Sequence, residues 1–139
     1  MANFYKLIPH TADFGIQLAA NTLSGLYINS AKALMDLIIG IEDIRLLNEC
    51  CITVEGIDSN DLLVRWLNEL IYIFAVKKML FSKFEIIALS NTKLTCKGFG
   101  EMFNDKKHDI KEEIKAVTYH GLNIENTDNR YTVTIILDV

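Results

Sequence analysis

The feature that most constrains this chain is one long amphipathic stretch over residues 61 to about 79. Leu63, Trp66, Leu67, Leu70, Ile71 and Phe74 recur there at three- and four-residue spacing. That spacing lines apolar side chains along one side of an α-helix. Leu62, Ile73 and Val76 widen the stripe, so the helix is expected to pack against sheet on more than one side. Ser59 or Asn60 is the expected N-cap, and Asp61 sets a negative charge at the positive end of the helix dipole. Trp66, the one tryptophan, falls on the stripe and reads as core.

A second helix is predicted from about Leu23 to Ile38, capped by Thr22 and ended by Gly40, with Leu26, Ala33, Leu34 and Leu37 on one face. The remaining segments read as strands. Residues 4–8 alternate, and residues 15–19 form a candidate second strand after a turn through Pro9, His10, Thr11, Ala12 and Asp13. Residues 44–55 follow a β pattern through Leu46, Ile52 and Val54. Residues 84–89 and 92–99 flank Ser90-Asn91 as a hairpin, and residues 113–125 and 131–139 flank a polar turn over 126–129. Two helices packed on an antiparallel or mixed sheet, without regular βαβ alternation, give an α+β fold. With 139 residues, half of them hydrophobic, the chain is expected to form a single compact domain over residues 1–139.

Composition excludes several classes. With 23% charged residues, one proline and seven glycines, neither wholesale disorder nor a collagen-like chain fits. A net charge of −4 argues against stand-alone binding to a phosphate backbone, which needs clustered Lys and Arg. The densest basic stretch, Lys106, Lys107, His108, Lys111 and Lys115, is diluted by Asp105, Asp109, Glu112 and Glu113. It reads first as a solvated mixed-charge face and second as a docking strip, with nucleic acid met only through a partner. The longest apolar run, residues 70–76, falls far short of the roughly 20 residues that span a bilayer, and no secretion signal opens the chain. Cys50, Cys51 and Cys96 lack metal or redox spacing and are expected as small buried hydrophobes in a reducing, cytoplasmic setting.

Chemistry-bearing residues fall into two groups. Asp13 lies in the turn between the first two strands, and Asp138 sits beside the last residue, Val139. Were the first and last strands neighbours, these carboxylates would converge and require a cation or a shared proton. Oxygen ligation suits Ca²⁺ or Mg²⁺. The plainer alternative is that Asp13 satisfies turn amides and Asp138 is a solvated strand end. The second group is Glu101, Asp105 and His108, followed by Lys115, Tyr119 and His120. A Glu/Asp/His set fits acid–base chemistry or further ligation, and a polar loop after a strand looks the same. His10 either joins the Asp13 site or hydrogen-bonds within its turn. No nucleophile elbow, Walker-type loop, GxGxxG or HExxH is present.

His10-Thr11-Ala12-Asp13-Phe14-Gly15 resembles the N-terminal signature of the archease family. Gly25-Leu26 with Ala31 and Ala33 matches its first helix, and the run from Asp61 to Leu70 its second. Gly100-Glu101 with Asp105 and His108, then Ile114-Lys115-Ala116-Val117-Thr118-Tyr119-His120, resembles its third block, and Leu137-Asp138-Val139 its end. Tyr27 and Tyr131 depart from the aromatic residues common there, Phe and Trp. The resemblance implies a cytoplasmic α+β protein built on strand-helix-strand-strand modules. It implies a protein cofactor, not an enzyme, for the RtcB-type RNA ligase that joins tRNA exons. Such a cofactor promotes guanylylation of the ligase histidine, supports multiple turnover and relaxes the nucleotide requirement. The implied metal site comprises Asp13, Asp138 and the main chain of Val139, with Ca²⁺ as the ion and Mg²⁺ or Mn²⁺ as alternatives. His10, Glu101, Asp105, His108, Lys115 and His120 would then support that site or dock the partner.

Two rival functions belong to other classes. One is a chaperone-like modulator of a tRNA methyltransferase, an activity the same resemblance carries. The other is a stand-alone metal-dependent phosphoester hydrolase using Asp13, His10 and His120.

Overall fold

The computed structural model describes residues 4–8 and 14–139. In chain order the elements are β1 (Tyr5–Ile8), β2 (Phe14–Ala20), α1 (Leu23–Ile38), β3 (Asn48–Glu55), α2 (Ser59–Lys77), β4 (Met79–Leu89), β5 (Lys93–Met102), β6 (Ala116–Val117), β7 (Glu125–Thr127) and β8 (Arg130–Asp138). The expected α+β class holds, and the sheet resolves into two. One runs β1-β2-β8-β6 with β7 also on β8; the other is β3-β5-β4. Every pairing is antiparallel. The order β3-α2-β4-β5 is a strand-helix-strand-strand unit, in which β5 pairs with β3, the strand that precedes the helix, and β4 lies on the far side of β5.

Both helices touch both sheets. α1 lies against β2, β8 and β4, while α2 lies against β3, β4, β5 and β6. The broad apolar face of α2 follows from that position, because Leu62, Leu63, Trp66, Leu67, Leu70 and Ile73 are all buried. Val76 is the exception: near the helix end it has passed the sheet and is exposed. Trp66 Nε1 donates to the Tyr27 carbonyl at 3.2 Å, and Tyr27 Oη donates to the Ser59 carbonyl at 2.6 Å. Two large buried side chains thus knit α1 to α2 with their polar atoms satisfied.

α1 begins as expected, with Thr22 Oγ1 accepting from the Gly25 amide at 2.9 Å, and Gly40 follows its end at φ 103°. α2 starts earlier than its sequence suggested. Its cap is Asp58, not Ser59 or Asn60, because an extended Asp58 turns its carboxylate onto the Asp61 amide at 2.8 Å. Asp61 returns the bond by accepting from the Ile57 amide at 2.8 Å, a reciprocal box around the first turn. At the other end Lys78 adopts the left-handed conformation, φ 58°, and its amide donates to the Phe74 carbonyl at 3.0 Å. That single residue reverses the chain, so β4 begins at Met79 rather than residue 84.

Four other expectations are corrected. β3 begins at Asn48 rather than residue 44, since Ile41–Asp43 form a 3-10 turn and Leu46 and Leu47 face solvent. β5 runs on to Met102, which carries Glu101 into the strand rather than a loop. Cys96 is buried, and that burial pushes its thiol up to about 12; Cys51 is exposed and Cys50 half-buried, because β3 is an edge strand with one open face. Residues 113–125, expected as one strand, give only the short β6 and the start of β7. Polar side chains of α2 take backbone bonds that a full ladder would have used: Asn68 binds Val117, and Asn60 Oδ1 accepts from the Ile124 amide at 2.9 Å. The polar turn before β8 is a two-residue hairpin with Asp128 and Asn129 at φ 51° and 61°, which suits the strand twist.

Candidate functional site

β2 and β8 are paired along seven residues, from Phe14 opposite Leu137 to Ala20 opposite Tyr131. Asp13 and His10 lie outside the described residues. The residue that follows Asp13 therefore pairs with the residue that precedes Asp138. Asp138 is exposed, and its carboxylate has no hydrogen-bond or ion-pair partner among the described residues. Its main chain is held, since the Lys115 amide donates to the Asp138 carbonyl at 2.8 Å and Ala116 pairs with Asp138 in β6. The Lys115 side chain is exposed, while Val139 packs its side chain partly into the core. Among the described residues no three His, Cys, Asp or Glu side chains are grouped to hold a metal.

The second set divides. Glu101 and His108 come together in a buried cluster at the end of β5; Lys115 belongs with Asp138; the His120 amide donates to Thr118 Oγ1 at 3.3 Å in the turn after β6. Asp105 is exposed on the rim of a groove of about 570 Å³ beside Glu101. Glu101 Oε2 accepts from the Arg45 amide at 2.8 Å and from Lys107 Nζ at 2.6 Å, and lies 3.1 Å from His108 Nε2. His108 Nδ1 accepts from the Asn104 amide at 3.0 Å, so in the neutral ring the proton sits on Nε2 and is donated to Glu101. Burial pushes the Glu101 carboxyl up, but the Arg45 amide, Lys107 and His108 together outweigh it and hold the group down at about 2. A carboxylate so saturated is a clamp on the 103–108 turn, not a proton carrier near neutrality. The mixed-charge run is likewise no uniform solvated face, because His108 is buried against Phe103 and Lys107 is pinned to Glu101.

The contacts that several residues make were not legible in the sequence. Asp61 Oδ1 accepts from Tyr119 Oη, and its Oδ2 accepts from Arg65 Nε at 2.8 Å. The Tyr119 bond, then the Ile57 amide and Arg65, lower the Asp61 carboxyl below its ordinary range; the same Tyr119 bond to Asp61 raises the phenol. Asn68 donates to the Val117 carbonyl at 3.0 Å and accepts from the Val117 amide at 2.8 Å. The signal was present as a polar stripe, Asp61, Arg65 and Asn68, at four- and three-residue spacing on α2. Asp36 also went unread: buried in α1, it accepts from Tyr5 Oη at 2.8 Å and from the Ile41 amide at 2.9 Å.

The family model of the archease protein family matches residues 5–139. This chain belongs to the archease family. Protein archease of Pyrococcus furiosus is 37% identical over 94% of this chain and 94% of its own length. That of Sulfurisphaera tokodaii is 32% identical over 97% and 98%. The solution structure of protein 1598 of Methanobacterium thermoautotrophicum superposes with a TM-score of 0.80 at 26% identity, covering 98% of this chain and 99% of its own. A Thermotoga maritima crystal structure, described as an archease and possible chaperone, shares the fold over both full chains at TM-score 0.65 and 22% identity. The archease fold therefore accounts for both sheets and both helices, and no helix of the described residues is long and apolar enough to cross a membrane.

Proposed function

We propose that this chain is a protein activator of an RtcB-type tRNA-splicing RNA ligase. In this reading it is not an enzyme itself: it promotes guanylylation of the ligase histidine, supports multiple turnover and widens nucleotide use. It meets RNA only through the ligase, in the cytoplasm. The observation that carries the reading is the β2–β8 register, which sets Phe14 against Leu137, together with an exposed Asp138 carboxylate that has no partner among the described residues. Asp13, Asp138 and the main-chain oxygen of Val139 supply only oxygen donors, which fits a hard cation. We take Ca²⁺ as that ion, with Mg²⁺ or Mn²⁺ as alternatives. A bound cation supplies concentrated positive charge, which stabilises negative charge on phosphoryl oxygens. The chain's own groups position that charge. The Lys115 amide holds the last carbonyl of β8, and the exposed Lys115 side chain stands beside the carboxylate edge. The Glu101–His108 clamp fixes the turn that carries Asp105 and Lys106, which with Lys111 form the docking surface, while His120 lies apart in the turn after β6.

The test uses ligase–GMP formation with GTP, Mn²⁺ and RNA ends. Folded Asp13→Ala and Asp138→Ala proteins are expected to lose stimulation together. Stimulation equal to that of the unmodified chain in both would remove the metal role.

One observation favours a second reading, a chaperone-like modulator of a tRNA methyltransferase. A mostly apolar groove of about 620 Å³ runs between Ile38, Phe74, Phe103 and Ile114, with Glu112 and Glu113 among its lining residues. That reading predicts partner solubilisation that survives chelation and both alanine replacements.

A further inference from the structure

β6 is two residues long, too short to hold itself against β8 by a ladder alone. It pairs with β8 through Ala116 and Val117, and the residues on either side add to that: the Lys115 amide donates to the Asp138 carbonyl at 2.8 Å, and the Thr118 amide to the Ile136 carbonyl at 3.0 Å. The amide and carbonyl of Val117 bond instead to α2, where both meet the one side chain of Asn68, at 2.8 and 3.0 Å. Asn68 therefore stands in for a neighbouring strand. Among side chains of this length, only a carboxamide presents a donor and an acceptor in one plane. Val117 is buried, so without Asn68 both backbone groups would lose their partner away from water.

We propose that Asn68 is a positioning residue for the cation edge, fixing β6 and hence the Lys115 amide that holds Asp138. The inference rests on the metal reading above. It concerns a residue of α2 that would touch neither the cation nor its ligands. Asn68 acts at one end of a longer polar seam. Toward the N-terminus of α2, Asp61 and Arg65 meet Tyr119, and Asn60 accepts from the Ile124 amide at 2.9 Å. Losing the Asn60 bond costs the same kind of backbone partner, but seven residues further along the segment from Val117. Asn60 is thus the internal control for a role that is merely structural.

The experiment is calorimetric titration of the full chain with Ca²⁺ alone, paired with thermal denaturation of each metal-free variant. Asn68→Ala is expected to bind Ca²⁺ about tenfold more weakly, a loss of order 1.4 kcal/mol of binding free energy. Asn60→Ala is expected to lower Tm comparably while leaving affinity within about twofold. Asn68→Asp covers the case in which Asn68→Ala does not fold. It keeps an acceptor for the Val117 amide, and its added charge by itself favours the cation, so weaker binding reports lost geometry. Unchanged affinity in the Asn68 variants overturns the inference and leaves the metal reading standing. An equal affinity loss in Asn60→Ala overturns it too, by making the effect global. No Ca²⁺ binding by the unmodified chain overturns the metal reading and this inference together.

Discussion

Glu101 shows how much a single side chain can be asked to hold. Its carboxyl is depressed to about 2 from an ordinary 4.5, so the folded state binds the proton less readily than the unfolded chain does. The stabilisation this gives is fully present above about 4.5 and is lost as pH falls from there through about 2. Denaturant unfolding across pH 7 to 3 is expected to show that loss, and Glu101→Gln to flatten it over the same window. At pH 7 that variant is expected to cost about 1–3 kcal/mol, because Lys107 and the Arg45 amide lose a charged acceptor. The neighbouring glycine is as constrained. A Cβ at Gly100 would stand 1.7 Å from the Leu80 carbonyl oxygen, a backbone atom that cannot step aside. Gly100→Ala is expected to cost about 3 kcal/mol or more in chemical denaturation. Glutamate and histidine seven residues apart were visible in the sequence, but their bond was not. It depends on β5 extending to Met102 and on a turn that brings His108 back.

At the scale of elements, hydrophobic spacing located both helices, and α1 carries the bounds its spacing predicts, Leu23–Ile38. The ends of α2 were harder because side-chain geometry decides them. Asp58 captures the Asp61 amide from an extended backbone, and Lys78 takes a left-handed conformation that sequence assigns to glycine or asparagine. Lys78→Gly is accordingly expected to stabilise the fold by about 0.5–1 kcal/mol, read as a higher denaturation midpoint with unchanged slope. Residues 113–125 alternate well enough to suggest a strand. They form mostly loop because Asn68, Asn60 and Asp61 bind them from the helix, and no local pattern announces bonds between residues some fifty to sixty positions apart.

For the whole molecule, placing α2 between two sheets explains both its wide apolar face and its polar seam. The Trp66 ring lies at the centre, edge-on to Phe84 at 5.7 Å. Trp66→Ala is expected to cost about 3–5 kcal/mol, measured as a lower midpoint in urea. The α+β class was legible because two helices and several hairpins suffice to name it. The division into two sheets was not, since strand order depends on pairings such as β2 with β8 across most of the chain. The same pairing underlies the proposed cation site. Asp13 and Asp138 are single acidic residues in the sequence, and only the register of Phe14 with Leu137 relates them. The most direct test of the central claim is multiple-turnover RNA ligation by a purified RtcB-type ligase with this chain at a substoichiometric ratio. The account predicts that product exceeds ligase many-fold with the folded chain and stops near one equivalent without it. Product no greater with the chain than without it would contradict the activator role and leave the archease fold without that function.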